Sequence, residues 1–211
     1  MATNRNLTRL ACDAEDCASG LLPFRDNMAS HSTRVTGILS KLFAISSALQ
    51  ELDQAHGDYN YQPSWFRIER DLALVAPALE LTFKVIFEGF ARARTLPYAQ
   101  VWTDLEYRME QEEGVALPER LDMFRVFVLA LMGVLRGSAS PMLLRLQSDV
   151  QVLLNRQERY ELRSQRRAVR DSGGLCLFAR SRCALSKRDW LRLVDSSEHA
   201  STSTATADPV L

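Results

Sequence analysis

Apolar residues recur at helical spacing along most of this chain, and that periodicity restricts the fold more than any other feature. Steps of three, four and seven residues place side chains on one stripe of an α-helix. One stripe runs from Met28 to Leu52, and a second runs from Ile68 to Phe90. Further stripes follow Pro97, Pro118 and Pro141. No stretch alternates apolar and polar residues as a half-buried strand would.

Prolines and glycines divide the periodic pattern into separate elements. We expect the first helix to be short and to stop near Gly20 and Pro23, and we expect Pro77 to kink or break the third helix, because proline removes a backbone donor. Ser140 and Pro141 read as the N-cap and first turn of the last helix. The connections have lengths typical of bundles. The sequence therefore predicts an all-α fold, an antiparallel helical bundle of about six helices.

Charge is unevenly distributed, and this predicts the domain organisation. The whole chain balances 26 basic against 26 acidic residues, but residues 156–192 hold 11 basic and 4 acidic side chains. The last sixteen residues are rich in Ser, Thr and Ala and cannot bury a core. We expect a helical bundle domain over residues 5–168, a short basic appendage over 169–195 and a disordered tail over 196–211.

The phase of the stripes predicts the core. Ten positions are expected to be almost fully buried: Leu42, Ile45, Leu49, Leu72, Leu79, Phe83, Leu121, Phe124, Val128 and Leu131. Most aromatic residues fall on the same stripes and are also assigned to the core: Trp65, Phe66, Phe83, Phe87, Phe90, Trp102, Phe124 and Phe127. The apolar run from Val126 to Leu135 is far shorter than the roughly 20 residues of a membrane span. It predicts a buried core helix, and no transmembrane segment is expected.

The chain offers little material for a reactive site. Cys12 and Cys17 are five residues apart and Cys176 and Cys183 are seven apart, and neither spacing is the C-x-x-C of a zinc or redox motif. The motifs of zinc proteases, hydrolase nucleophiles and nucleotide-binding loops are absent. Acidic residues near positions 13–16 and 110–113 lack a nearby histidine and are expected on solvated faces. We therefore predict no catalytic, cofactor-binding or metal-binding residue.

The segment Arg156–Arg170 is the sharpest local feature. Its arginines form a candidate contact for a polyanion or a partner: Arg156, Arg159, Arg163, Arg166, Arg167 and Arg170. The simpler alternative, which the sequence favours, is a solvated helical extension in which Glu158 and Glu161 pair with arginines at helical spacing. Only Tyr160 interrupts the charges with an aromatic ring, so no specific nucleic-acid binding is expected.

Several apolar helical segments resemble the N-terminal all-helical regions of uncharacterised filamentous-fungal proteins. The segments are AEDCASGLLPFRD, ILSKLFAISSALQELD, DLALVAPALELTFKVIFEGF, VWTDLEYRMEQEEGVALPERL and FRVFVLAL. The Asp-Cys pair near the first helix and the Ser-Ser-x-Leu-x-Glu-Leu end of the second carry most of the likeness, which covers residues 7–157. The resemblance implies a helical module and names no activity.

Together these patterns favour a non-enzymatic protein–protein interaction module. The partner is expected to be another protein, and a homo-oligomer is left open. One alternative is a small helical enzyme or ligand-binding protein with an inter-helix pocket. Another is a membrane-active helical bundle, although no helix is both strongly basic and rich in exposed apolar residues. The N-terminus lacks the apolar core of a signal peptide, so we expect a cytoplasmic or nuclear protein with reduced cysteines.

The redox state can be tested directly. All four thiols should react with an alkylating reagent after the protein is unfolded without reductant, because cytosolic and nuclear thiols stay reduced. Intact-mass spectrometry counts the labels. Two unreactive cysteines would reveal a disulfide and contradict the predicted compartment.

Overall fold

The fold consists of α-helices joined by short turns. The computed structural model describes the backbone of residues 2–138 and 141–171 and the side chains of residues 6–138 and 141–168. Within those residues there is no strand, and the predicted all-α class and the helix count are confirmed. The six helices are α1 (Ala2–Asn27), α2 (Ser32–Gly57), α3 (Gln62–Arg92), α4 (Tyr98–Tyr107), α5 (Leu117–Leu135) and α6 (Leu143–Asp171).

Hydrogen bonds between side chains show how the first helices are directed. Thr8 Oγ1 donates to Asp53 Oδ2 at 3.0 Å, so the start of α1 lies beside the end of α2. Further along, Ser46 Oγ donates to Glu15 Oε1 at 2.7 Å. Moving forward along α1 from Thr8 to Glu15, the partner on α2 moves backward from Asp53 to Ser46. Helices α1 and α2 are therefore antiparallel, as the short turn between them requires.

Helix α6 lies beside α3 and runs in the same direction. Near their beginnings, the Gln147 amide donates to Asp71 Oδ1 at 2.7 Å. Ten residues later on α6, the buried Gln157 amide donates to Thr82 Oγ1 at 2.9 Å. Both bonds lie within a mainly apolar interface, where an unpaired amide would be costly. They fix α6 along the length of α3.

The predicted end of the first helix is wrong, and of the kink or break expected at Pro77 the break is absent. Helix α1 continues past Gly20 and Pro23 to Asn27. Gly20 is buried, and a Cβ there would overlap the ring of Phe90, so this glycine permits close packing of α1 on α3 and does not end the helix. Helix α3 also runs through Pro77 without a break. The packing of the buried face of α3, which extends on both sides of Pro77 from Trp65 to Phe90, offsets the local cost of proline, about 3 kcal/mol.

The predicted start of the last helix and the predicted C-terminal segments lie partly outside the described residues. Helix α6 begins at Leu143, and the expected cap Ser140 lies outside the described residues. The chain divides after Ala168, so that Met1–Ala168 form one compact unit. The predicted appendage over 169–195 lies outside the described residues from position 172, and so does the whole tail over 196–211.

The core is mostly where the stripes place it, although Phe87, which was also assigned to the core, is only half-buried. All ten positions predicted to be almost fully buried are at most 2% exposed, which confirms the helical phase. Phe66 is 68% exposed, so its assignment to the core is wrong; it lies on the outer side of α3 with the Arg67 guanidinium 5.9 Å from its ring centroid. Leu129 is 45% exposed, so α5 is not buried on all sides. None of the helices in the described part of the chain has the length and apolarity to cross a bilayer.

Two phenylalanines with opposite environments test the core. Phe124→Ala should lower the free energy of unfolding by about 3–5 kcal/mol, because it opens a cavity in a fully buried site. Phe66→Ala should change it by less than about 0.5 kcal/mol, because the ring is exposed. Guanidinium denaturation followed by circular dichroism measures both. Equal losses in the two variants would contradict the assigned phase of α3 or α5.

Candidate functional site

A buried ion pair lies where α5 meets the turn that precedes it. Glu113 is 1% exposed and Arg120 is 0% exposed, and Arg120 Nη1 donates to Glu113 Oε2 at 2.8 Å. Arg120 Nη2 also donates to the carbonyl of Val115 at 3.0 Å. Burial lowers the pKa of Arg120, and the Glu113 carboxylate offsets part of that effect. The guanidinium keeps its charge, because its ordinary pKa is far above neutral.

A π-helical turn, Arg108–Glu112, delivers Glu113 to this pair. It is closed by a hydrogen bond from the Glu113 N–H to the Arg108 carbonyl at 3.1 Å. Gly114 follows with φ of +78°, a conformation that side chains disfavour. A Cβ at Gly114 would also overlap the guanidinium of Arg156 on α6. Gly114 thus ends the turn, and the flexible Arg156 side chain lies against it.

Arg108 connects this turn to two other helices. Its guanidinium donates to Glu113 Oε1 at 3.2 Å, to Glu88 Oε2 on α3 at 2.7 Å and to Glu161 Oε1 on α6 at 3.2 Å. The guanidinium carbon lies 4.4 Å from the ring centroid of Tyr160. Burial lowers the pKa of Arg108, but the hydrogen bond to Glu88 and the charges of Glu88 and Glu113 outweigh it and raise the pKa overall. One side chain therefore fixes α6 against the bundle.

Glu161 is directed inward by these contacts. Besides accepting from Arg108, its Oε2 lies 2.6 Å from Lys84 Nζ on α3. The expected pairing of Glu158 and Glu161 with arginines of α6 is therefore wrong. Its physical reason is simple: the positions three and four residues away from either glutamate hold no arginine.

The arginines of α6 occupy one outward face. We define the arginine face by its five exposed members: Arg156, Arg159, Arg163, Arg166 and Arg167. At 100° per residue they fall within roughly 100° of the helix circumference. None of the five is in an ion pair among the residues that the structure describes. Arg170 lies in the last turn of α6, and its side chain is outside the described residues.

The arginine face carries an unrelieved electrostatic cost. Arg159, Arg163 and Arg167 follow one another at intervals of four, and like charges at that spacing destabilise a helix by about 0.2–0.5 kcal/mol per pair. Every side chain from Leu162 to Ala168 is exposed. The bundle therefore neither buries nor neutralises these charges, and they are accessible to a ligand of opposite sign.

A polar cleft of about 260 Å³ lies beside the arginine face, between the π-helical turn and α6. Its lining residues are Gln111, Glu112, Tyr160, Arg163, Ser164 and Arg167. Burial raises the pKa of Tyr160; Arg108 opposes this, and the neighbouring Glu112 carboxylate reinforces it. The Tyr160 hydroxyl is thus protonated at neutral pH, beside Glu112. The cleft combines hydrogen-bond donors from α6 with groups from the turn.

Other residues singled out by the sequence are placed elsewhere. Glu113 was expected on a solvated face and is buried, so that expectation is wrong. Glu15 accepts hydrogen bonds from Ser46 and Gln50. Cys12 is an exposed thiol, and burial, followed by the charge of Asp13, raises the pKa of the Cys17 thiol. In the described ranges, no three His, Cys, Asp or Glu side chains converge to hold a metal ion.

The sequence does contain a signal for the buried pair. Arg120 lies between Leu117, Leu121 and Phe124, three residues of the apolar stripe of α5. A charged residue on such a stripe is rarely buried without a partner. A buried Arg120 therefore indicates an acidic partner, and the carboxylates just before α5, which include Glu113, are near enough in the sequence to supply it.

Comparisons with known proteins add no family assignment. No family model, no curated protein and no solved structure matches this chain. The resemblance to the helical regions of filamentous-fungal proteins stays a prediction.

Removing one member of the buried pair should be costly. Glu113→Gln is expected to lower the free energy of unfolding by about 3–5 kcal/mol, because it leaves Arg120 charged and without its carboxylate. Glu110→Gln, an exposed glutamate of the same turn, should change it by less than about 0.5 kcal/mol. Denaturant titrations compare the two variants with the parent. A similar midpoint for all three would show that the pair contributes nothing.

Proposed function

We propose that this chain is a non-enzymatic interaction module that binds an acidic segment of another protein through the arginine face of α6. The observation that carries the proposal is the separation of charges on α6. Five arginines are exposed on one side and form no ion pair with any residue in the described ranges, while Glu161, the neighbouring carboxylate, is bound to Arg108 and Lys84 on the other side.

The chemistry of guanidinium favours carboxylate-rich partners. Each guanidinium can bind a carboxylate through two parallel hydrogen bonds, which adds geometric specificity to the charge. A single exposed ion pair contributes only about 0–1 kcal/mol, so affinity depends on several arginines acting together. Because α6 is already helical, little backbone conformational entropy is lost when its arginine face is occupied, and the entropic cost is limited to ordering the arginine side chains.

The same surface is poorly suited to reading bases. Binding of single strands usually combines cationic residues with exposed aromatic rings on which bases stack. Tyr160 is the aromatic residue next to the arginine face, and one side of its ring is covered by the Arg108 guanidinium. This supports a protein partner over a specific nucleic acid.

A cytoplasmic or nuclear location is part of the proposal. Cys12 and Cys17 are free thiols, and Cys12 is exposed on α1. Exposed free thiols are typical of compartments in which glutathione and thioredoxin keep cysteine reduced. This supports the location that the sequence predicts.

A charge-matched pair of variants tests the proposed function. Binding of a fluorescein-labelled peptide of glutamates and glycines would be measured by anisotropy at low and at physiological salt. The triple variant Arg159→Gln, Arg163→Gln and Arg166→Gln should weaken binding by about tenfold or more. The control, in which three exposed arginines elsewhere are changed (Arg67→Gln, Arg70→Gln and Arg94→Gln), removes the same charge and should change binding by less than about twofold.

Two results would contradict the proposal. Equal losses in the two triple variants would show that only net charge matters. Submicromolar, sequence-selective binding of DNA or RNA at physiological salt, lost in the α6 variant, would identify a nucleic-acid-binding protein, since phosphate contacts alone are nonspecific and salt-sensitive.

A further inference from the structure

The polar cleft joins the arginine face to the π-helical turn. Arg163 and Arg167 lie one turn apart on α6, which places their side chains side by side on one edge of the cleft. The Ser164 hydroxyl lies on the same edge, and the Gln111 amide is contributed by the turn. Two arginines, a serine and a glutamine therefore line one volume, and Arg163 is held on its edge by a hydrogen bond from its Nε to the Arg159 carbonyl at 3.2 Å.

We propose that this cleft binds a phosphorylated serine or threonine side chain of the acidic partner. The inference rests on the proposed function and specifies the group that anchors the partner. It assigns Arg163 and Arg167 to the phosphate oxygens, with Ser164 and Gln111 as additional donors.

The number of donors favours phosphate over carboxylate. A phosphomonoester carries a charge of about −1.5 to −2 and three acceptor oxygens, enough for two guanidiniums and a hydroxyl at once. A carboxylate carries only one negative charge and two oxygens, so by charge it balances one guanidinium, whereas a phosphomonoester balances two. The volume of the cleft, about 260 Å³, is also smaller than that of typical small-molecule sites, which is roughly 300–1,000 Å³. Its size suits the head group of one side chain.

The carboxylates around the cleft leave its anion-binding edge positive. Glu113 and Glu161 are paired with Arg120, Arg108 and Lys84. Glu112 lies on the opposite edge, beside the protonated hydroxyl of Tyr160. Among the residues that the structure describes, neither Arg163 nor Arg167 is ion-paired with a carboxylate, and Glu112 is the one carboxylate that lines the cleft and opposes an anion.

The segment of α6 that carries the donors is held in place. Tyr160 packs against the Arg108 guanidinium at 4.4 Å, and Glu161 is bound from α3 and from the π-helical turn. Since Arg163 and Ser164 follow within one turn of these anchored residues, their backbone is fixed before a ligand arrives. Such preorganisation favours binding of a compact, highly charged group.

The test compares three fluorescein-labelled acidic peptides that differ only in a central residue, which is serine, phosphoserine or glutamate. With the full chain at physiological salt, the phosphoserine peptide should bind about tenfold more tightly than the serine peptide and more tightly than the glutamate peptide. Arg163→Gln with Arg167→Gln should abolish that advantage. Arg156→Gln with Arg159→Gln, which removes the same charge from the arginine face, should weaken all three peptides alike and keep the advantage.

The outcomes separate the two proposals. If the glutamate and phosphoserine peptides bind equally, or if the advantage survives in Arg163→Gln with Arg167→Gln, the phosphate site is refuted while the acidic-partner function stands. If no acidic peptide binds, both are refuted. An oligonucleotide that binds more tightly than the phosphoserine peptide also overturns the site.

A substitution at Glu112 tests independently whether the group bound in the cleft is negatively charged. Glu112→Gln should tighten binding of the phosphoserine peptide by a few-fold, because it removes the carboxylate that opposes the phosphate. Its effect on the serine peptide should be smaller. Weaker binding of the phosphoserine peptide by this variant would overturn the assignment of an anion to the cleft.

Discussion

The buried pair between Glu113 and Arg120 is the interaction on which the orientation of α6 depends. Taking two charges out of water costs several kcal/mol per ion, and the cost is offset only where the geometry supplies further partners. Arg108 supplies one by binding Glu113 and extending the network to Glu88 and Glu161. Because Glu161 must face Arg108, the rotation of α6 about its axis is set, and the arginine face is turned away from the bundle.

Helix α6 therefore divides its length between two roles. Its first half packs on the bundle through Leu146, Val150, Leu153 and Leu154, whereas its exposed half displays charge. The ion-pair network lies at the boundary between the halves. The folding energy of the first half thus holds the second half in a helical conformation that its like charges would otherwise oppose.

The sequence predicts the parts of this architecture that depend on local periodicity, and it misses those that depend on contacts between distant segments. Stripes of apolar residues located the core, and the cluster of arginines located the face. The role of Gly20 is decided by Phe90, seventy residues away, and the burial of Glu113 is decided by Arg120 and Arg108. The predicted pairing of the α6 glutamates with its arginines fails for a different reason. In the sequence itself, no arginine stands three or four residues from either glutamate.

The buried hydrogen bond from Gln157 to Thr82 restricts how α6 could transmit a signal. A slip of one helical turn, about 5.4 Å, would separate the amide from its hydroxyl acceptor within an apolar interface. Piston-like sliding of α6 along α3 is therefore disfavoured. Glu161, about one turn further along α6, is also bound to Lys84 and Arg108, so a force applied to the exposed turns would be carried into α3 and the π-helical turn at these contacts.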